Sequence, residues 1–154
     1  MVIIGYQGIG KSTLANREKG YIDLESSCFR IDGIRADDWY KAYGNIALDL
    51  SRQGYDVFTA SHATLREWLG THNATGEKII ICYPSTTLRD PWVKKLEDRY
   101  NKTQLLKDFA AWKNAEDRYV DNINEMIDDA DRYGFDKCCL MSMDYDLERD
   151  LHSR

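Results

Sequence analysis

The chain has no excess of basic charge, no long apolar run and no cysteine or histidine spacing of a metal site. Lysine and arginine number 21 against 26 aspartates and glutamates, a formal charge of −5. That balance argues against wholesale duplex binding, which needs a broad basic face, but leaves room for a local basic pocket. Nothing approaches the roughly 20 apolar residues of a membrane helix, and Met1–Ile4 is far shorter than a signal peptide. The four cysteines, Cys28, Cys82, Cys138 and Cys139, form neither a metal-ligand spacing nor a disulfide framework. Cys82 and the Cys138–Cys139 pair sit in apolar runs and read as buried free thiols, the expectation for a reducing, cytoplasmic setting. There is no linker, repeat or low-complexity segment. What is present, 154 residues with 43% apolar and 12% aromatic content, suits one globular domain over residues 1–154.

Strand-like and helix-like stretches alternate. Val2–Ile4, Tyr21–Leu24, Asp56–Ala60, the β-branched run Lys78–Tyr83 and Lys137–Met141 read as five strands. Ser12–Lys19, Asp37–Gln53, a short helix from Thr64 to Leu69, and a helix opened by Asp90-Pro91 as N-cap and first helical position read as the connections. Glycines 20, 54 and 134 close three helices. From Leu105, apolar residues recur at 109, 112, 119, 123, 126, 130 and 133, broken only at Glu116. This predicts a long amphipathic helix, with a possible kink, packed on the domain, with self-association through that stripe as the alternative. Tyr145–Leu151 reads as a short last helix. Strands separated by helices predict an α/β sandwich: a five-stranded parallel sheet with helices on both faces.

The first strand runs into Gly5-Tyr6-Gln7-Gly8-Ile9-Gly10-Lys11-Ser12. Two glycines, four intervening residues, then lysine and serine form the P-loop pattern, or Walker A. Glycines permit the tight turn that converges N–H groups on phosphate oxygens, and the following helix adds its positive dipole end. Gly5, Gln7, Gly8, Ile9, Gly10, Lys11, Ser12 and Thr13 are therefore the expected nucleotide-binding residues. Lys11 would carry charge to the β and γ phosphates, and the Ser12 hydroxyl would serve Mg²⁺. The prediction is binding of ATP with Mg²⁺.

No Asn-Lys-x-Asp stretch reads a guanine, and Asn101-Lys102 lacks the aspartate. In size and order of elements the chain resembles the small P-loop kinases, the shikimate, gluconate and nucleoside monophosphate kinase group. Leu24-Glu25-Ser26-Ser27 and Cys82-Tyr83-Pro84-Ser85 are similar to stretches of small phage-encoded and bacterial nucleotide kinases. The resemblance is specific at the loop and looser elsewhere. It implies a P-loop three-layer sandwich with a small helical lid over residues 84–103, and catalytic roles for Lys11, Asp23 and Glu25. Asp23 would hold a Mg²⁺-bound water, and Glu25 would orient or deprotonate the acceptor. Ser26 and Ser27 would either bond the acceptor or cap the next turn.

The third strand ends in Ser61-His62 in place of a Walker B aspartate, which leaves Ser12 and Asp23 as metal partners. Ser61 and His62 would lie near the transferred phosphoryl group, with His62 either positioning the acceptor or capping a helix. Arg66, one helical turn on, would contact an acceptor phosphate. In the lid, Arg89 and Arg99 are the candidate transition-state arginines, the alternative being an exposed charged face; Arg99 shares a helix face with Trp92 and Leu96. Arg35 would grip a phosphate and Trp39 would stack on a base, within a stretch that includes Asp32-Gly33; Trp39 is equally an ordinary core residue. Ser142–Asp144 would cradle the adenine.

The expected function is transfer of the γ-phosphoryl group to a nucleotide, nucleoside or similar small hydroxyl acceptor by a monomer or homodimer. Extended nucleic acid and membranes are not expected partners. Two alternatives stay open: action on polynucleotide ends or modified DNA bases, and a nucleotide-gated interaction protein with little turnover.

Overall fold

The computed structural model describes residues 1–31 and 34–153, apart from the side chains of Cys28 and Ile31. The Cys28 thiol and the Asp32-Gly33 pair named above therefore lie outside the described residues. Five strands, β1 (Val2–Gly5), β2 (Tyr21–Asp23), β5 (Asp56–Thr59), β6 (Ile79–Pro84) and β7 (Asp136–Leu140), form one sheet in the order β2-β5-β1-β6-β7. Every neighbouring pair is parallel. β3 (Arg30–Ile31) and β4 (Ile34–Arg35) make a separate two-residue antiparallel ribbon. It was not foreseen, although an Asp-Gly pair between two short segments is a hairpin signal.

β1 and β6 are buried along their whole length, as expected of parallel strands covered on both faces. The helices are α1 (Lys11–Arg17), α2 (Trp39–Arg52), α3 (Ala63–His72), α4 (Arg89–Thr103), α5 (Leu106–Tyr133) and α6 (Leu147–His152). Right-handed crossovers put α1 on one face, because β2 lies to one side of β1, and α2, α3 and α5 on the other, because the later steps run the opposite way. The packing agrees: α2 touches α3, and α3 touches α5. The chain thus leaves β1 in one direction and fills the sheet in the other. The resulting switch point lies at the carboxyl end of β1, where open α/β sheets leave a crevice. Cys82 and Cys138, direct partners on β6 and β7, are fully buried and in no disulfide, and Cys139 is partly buried. No helix among the described residues is long and apolar enough to cross a membrane.

Two local expectations need correction. α4 begins at Arg89 with Leu88 as N-cap, so Asp90 and Pro91 lie inside its first turn. A 3₁₀ turn over Thr86–Leu88, whose first N–H groups include one from Thr87 to Ser85 Oγ at 3.3 Å, leads straight into the helix. Pro91 is harmless there, since a first-turn N–H has no intrahelical partner. The second correction concerns the apolar stripe of α5; the helix itself breaks at Arg118 (φ −137°, ψ 22°), the kink that the sequence allowed. After the break the buried positions are 119, 123, 126 and 130, as the stripe predicted; before it they are 108, 111 and 115. The aromatic stripe of the first half instead turns toward α4, where Phe109 and Trp112 pack on Tyr100 at 5.2 and 5.8 Å. Arg89 Nη2 donates to Glu116 O at 2.7 Å beside the break, a side-chain intrusion of the kind that kinks helices.

Candidate phosphate-loop cleft

The carboxyl edge of the sheet opens into a cleft of about 1020 Å³. Residues 7–14 form its floor, Asp23, Leu24, Glu25 and Ser26 one wall, and Lys95, Arg99, Lys107, Asp108 and Ala111 from the α4–α5 hairpin another. Met143–Leu147 and Arg149 close the remaining side. Six basic and five acidic side chains line it, so the cleft is locally cationic in a chain whose net charge is −5.

The loop is held in shape before any ligand arrives. Gly8 and Gly10 adopt φ of +88° and +101°, a region that side chains disfavour by about 1–2 kcal/mol. Three outward carbonyls are tied back. Trp92 Nε1 donates to Gln7 O at 2.9 Å, and the Tyr145 hydroxyl donates to Ile9 O at 2.8 Å and lies 3.4 Å from Gly8 O. The Gln7 side chain donates to Ala111 O at 3.1 Å and Asn114 Oδ1 at 3.2 Å. With its carbonyls engaged on the protein side, the loop's N–H groups are the ones left for a ligand. Trp92 is fully buried and stacks on Tyr145 at 5.8 Å. Lys95 lies over both rings and donates to the Tyr145 hydroxyl at 2.9 Å. The Trp92–Tyr145 brace was not read from sequence; Trp92 shows only as a core position, and nothing local marks Tyr145.

Lys11 begins α1, and its ammonium donates to Gly5 O at 3.3 Å. Burial pulls its pKa down, Asp23 and Glu25 pull it back up, and Arg99 adds to the downward pull. Burial raises the Asp23 pKa, Lys11 opposes it, and the neighbouring Glu25, by its charge and as a side-chain hydrogen-bond partner, raises it further. The acid pair thus sits together at the end of β2, facing the loop lysine. Ser12 and Thr13 are exposed at the start of α1. Among the described residues no three His, Cys, Asp or Glu side chains converge as a metal cage. A hydroxyl beside a hydrated carboxylate, with phosphates completing the shell, is nevertheless a normal set of oxygen donors for Mg²⁺.

Of the two lid arginines, only Arg99 lines the cleft. Its Nε lies 3.0 Å from Asp108 Oδ1, and Asp108, buried near the base of α5, also accepts from Thr103 Oγ1. Arg89 is held elsewhere, by Glu116 O and Asp90. Within the expected lid segment 84–103, Trp92 and Leu96 are fully buried, so that part of α4 is also wall and core.

Ser26 lines the cleft and Ser27 does not; both lie inside the 3₁₀ turn Ser26–Phe29, whose N-cap is Glu25, and neither caps it. Ser61 and His62 follow the cleft residue Ala60, and His62 is the N-cap residue of α3 without a side-chain cap bond. Its pKa is pushed down to about 4, first by burial and then by Arg35, Lys11, Arg66 and Arg30. Arg66 departs from expectation. It is buried, its Nε pairs with Asp129 Oδ2 of α5 at 2.7 Å, and its Nη1 donates to Ser61 O, so it ties α3 to α5 and does not line the cleft. Trp39 is half-buried with Arg35 over its ring at 4.2 Å, so that face is already taken. Met143 and Asp144 line the cleft as the adenine-loop reading required, while Ser142 does not.

No protein-family model matches the chain, and no curated protein matches it either.

Proposed function

We propose that this chain is an ATP- and Mg²⁺-dependent phosphotransferase of the small P-loop kinase kind, acting on a small acceptor. One observation carries the reading: a single cleft at the sheet's switch point gathers a pre-shaped glycine loop, Lys11, exposed Ser12, the Asp23–Glu25 pair and Arg99. The parallel sheet flanked by helices supports it, because ligands of such folds sit at that edge.

In this mechanism the loop N–H groups and Lys11 bind the triphosphate and fix the γ-phosphoryl group toward the acid pair. Bound Mg²⁺ would neutralise charge on the β and γ phosphates, with Ser12 and Asp23 as its protein partners. The acceptor oxygen bonds to the γ-phosphorus as the bond from that phosphorus to the bridging oxygen breaks. The electron pair leaves with the nucleoside diphosphate, and the acceptor's hydroxyl proton passes to Glu25. Arg99 stabilises charge on the transferring group, and the hairpin that carries it excludes water from the cleft.

The test is a screen of nucleosides, nucleoside monophosphates and short DNA with γ-labelled ATP. Label should move to one acceptor class. Lys11→Ala should lower turnover by at least about 100-fold, and Asp23→Asn should raise the Mg²⁺ concentration needed for half-maximal rate. Undiminished turnover in Lys11→Ala would remove the loop from the mechanism.

A further inference from the structure

The corner between α4 and α5 carries a carboxylate that packing alone does not explain. Asp108 lies in the first turn of α5 and is buried, yet it lines the cleft. A buried carboxylate is costly unless it is paired and hydrogen-bonded. One of its oxygens is held by the corner itself. Thr103 Oγ1 accepts from Leu105 N at 3.3 Å and donates to Asp108 Oδ2, and Gln104 beside it takes a left-handed φ of +58°. Oδ2 is thus fixed to the turn. The other oxygen, Oδ1, faces Arg99 Nε at 3.0 Å. The approach is close, but the bond is not made. The Arg99 Nε is shut off from solvent and has no hydrogen-bond partner, so its N–H is turned away from the oxygen beside it. A buried donor in that state calls for a reason.

A purely structural tie between the helices would use the guanidinium fork, with two parallel bonds to the carboxylate. Here the carboxylate comes closest to the inner nitrogen, which leaves the two Nη nitrogens at the end of a side chain that is 40% exposed and lines the cleft. The charge of Arg99 is felt by both Lys11 and Lys95, so it acts on the volume beside the phosphate loop. We propose that Asp108, fixed by Thr103, is a positioning residue that aims Arg99 at the transferring phosphoryl group. Resting on the phosphotransferase reading, this names the residues that set its arginine. A turn of the guanidinium completes the bond from Nε to Oδ1 and presents the Nη edge to the phosphoryl oxygens. The buried donor and the group in transfer are then satisfied together. Charge on those oxygens is handled in the transition state, so a donor aimed there raises kcat more than it tightens ATP binding.

The experiment uses the whole chain with Mg²⁺–ATP as the probe. Calorimetry gives Kd, and loss of label from γ-labelled ATP, to water or to the acceptor class found by screening, gives kcat. Asp108→Asn keeps the shape of the side chain and removes its charge. It should lower kcat by about 10- to 100-fold while Kd stays within about threefold, which also reports that the variant folds. Thr103→Val should act in the same direction by a smaller factor. Arg99→Ala should lower kcat by about 100-fold or more, and the double variant Arg99→Ala, Asp108→Asn should be no slower, because Asp108 acts through the arginine. Guanidinium chloride at a concentration that does not denature should restore part of the rate to Arg99→Ala and none to the double variant. Sodium chloride at the same ionic strength should restore neither. Losses that multiply in the double variant overturn the proposal, as does guanidinium recovery that does not depend on Asp108. An Asp108→Asn defect that falls on Kd with kcat unchanged, or that abolishes ATP binding, assigns the residue to the fold and overturns it too. A parent chain that binds no Mg²⁺–ATP, or passes label to no acceptor, water included, would instead bring down the phosphotransferase reading, and this inference with it.

Discussion

Replacing Gly8 by alanine separates two costs that the glycine loop avoids together. Gly8 sits at φ +88°, and a β-carbon built on it would lie 2.9 Å from Leu96 Cδ2 and 3.2 Å from Trp92 Nε1. The backbone term is about 1–2 kcal/mol for a side chain in the left-handed region. The contact term is larger than a surface clash, because Leu96 and Trp92 are fully buried and Trp92 Nε1 is engaged with Gln7 O. Overpacking of that kind costs about 1–3 kcal/mol. Gly20→Ala supplies the control: its φ is +96°, yet nothing lies within 4 Å of the added carbon, so it should bear the backbone term alone. At about 2–4 °C per kcal/mol for a chain of this size, Gly8→Ala should lower Tm by about 4–20 °C and Gly20→Ala by about 2–8 °C. Chemical denaturation gives the free energies directly, and Mg²⁺–ATP titration should show binding lost in the first variant and kept in the second. Equal destabilisation by the two substitutions, with equal nucleotide affinity, would mean that α4 does not brace the loop.

Arg66→Ala should destabilise by about 2–4 kcal/mol, because it strands Asp129 at a mostly buried site; Arg66→Met combined with Asp129→Leu should recover much of this in urea melts. Acceptor affinity should not change in any Arg66 variant that remains folded, and a specific loss of acceptor binding would return this arginine to the site. His62 supplies a pH signature. Its folded pKa of about 4 lies below the ordinary 6.5, so between those values the unfolded chain holds a proton that the folded chain does not. The stabilisation is therefore complete above about pH 6.5 and is lost as pH falls toward 4, at up to about 1 kcal/mol per pH unit. The raised Asp23 pKa works the other way, with stability falling as pH rises through its range, so the informative quantity is the parent curve minus that of His62→Gln. An identical slope in the two proteins would show that His62 is not held neutral.

How much of this was legible beforehand follows from how far each signal reaches along the chain. The sheet strands and the loop are local patterns: a short apolar run, a glycine spacing, a lysine and serine at fixed offsets. The strands were each read correctly to within a residue or two, and Gly8 and Gly10 take the tight turns expected of them; Gly134 caps α5 and Gly54 follows the cap of α2, but α1 already ends at Arg17 with Glu18 as its cap, ahead of Gly20. The shared helix face of Trp92, Leu96 and Arg99 also held, with the first two buried and the third lining the cleft. What failed needed a distant partner. Arg66 looked like a ligand contact until Asp129, 63 residues on, claimed it. Arg89 looked equivalent to Arg99 until Glu116 O took its guanidinium. The first half of α5 shifted its buried face because Asp108, a residue no apolar count would choose, is buried beside Arg99 and Thr103. Periodicity counts apolar residues and is blind to a carboxylate held inward by an arginine and a hydroxyl.

The departures from ordinary rules gather at one edge of the sheet. A lysine partly stripped of water, two adjacent acids and two arginines facing each other across the β3–β4 ribbon are each unfavourable in the empty chain, and the left-handed turns at positions 8 and 10 are open cheaply only to glycine. Elsewhere the protein obeys its patterns, with the central parallel strands buried and the second half of α5 keeping its apolar stripe inward. Such violations are expected to concentrate where function requires them. On the phosphotransferase reading, a phosphate group would relieve the strain at the loop and Lys11, with the acid pair toward the acceptor. A cation or an apolar ligand would relieve at most the acids and leave the buried lysine unanswered. The prediction that separates these cases is a stability measurement. Inorganic phosphate should raise Tm in a saturable way through the glycine loop, so Lys11→Ala should abolish most of the rise. A rise that persists in full in that variant would show that the anion effect is unspecific.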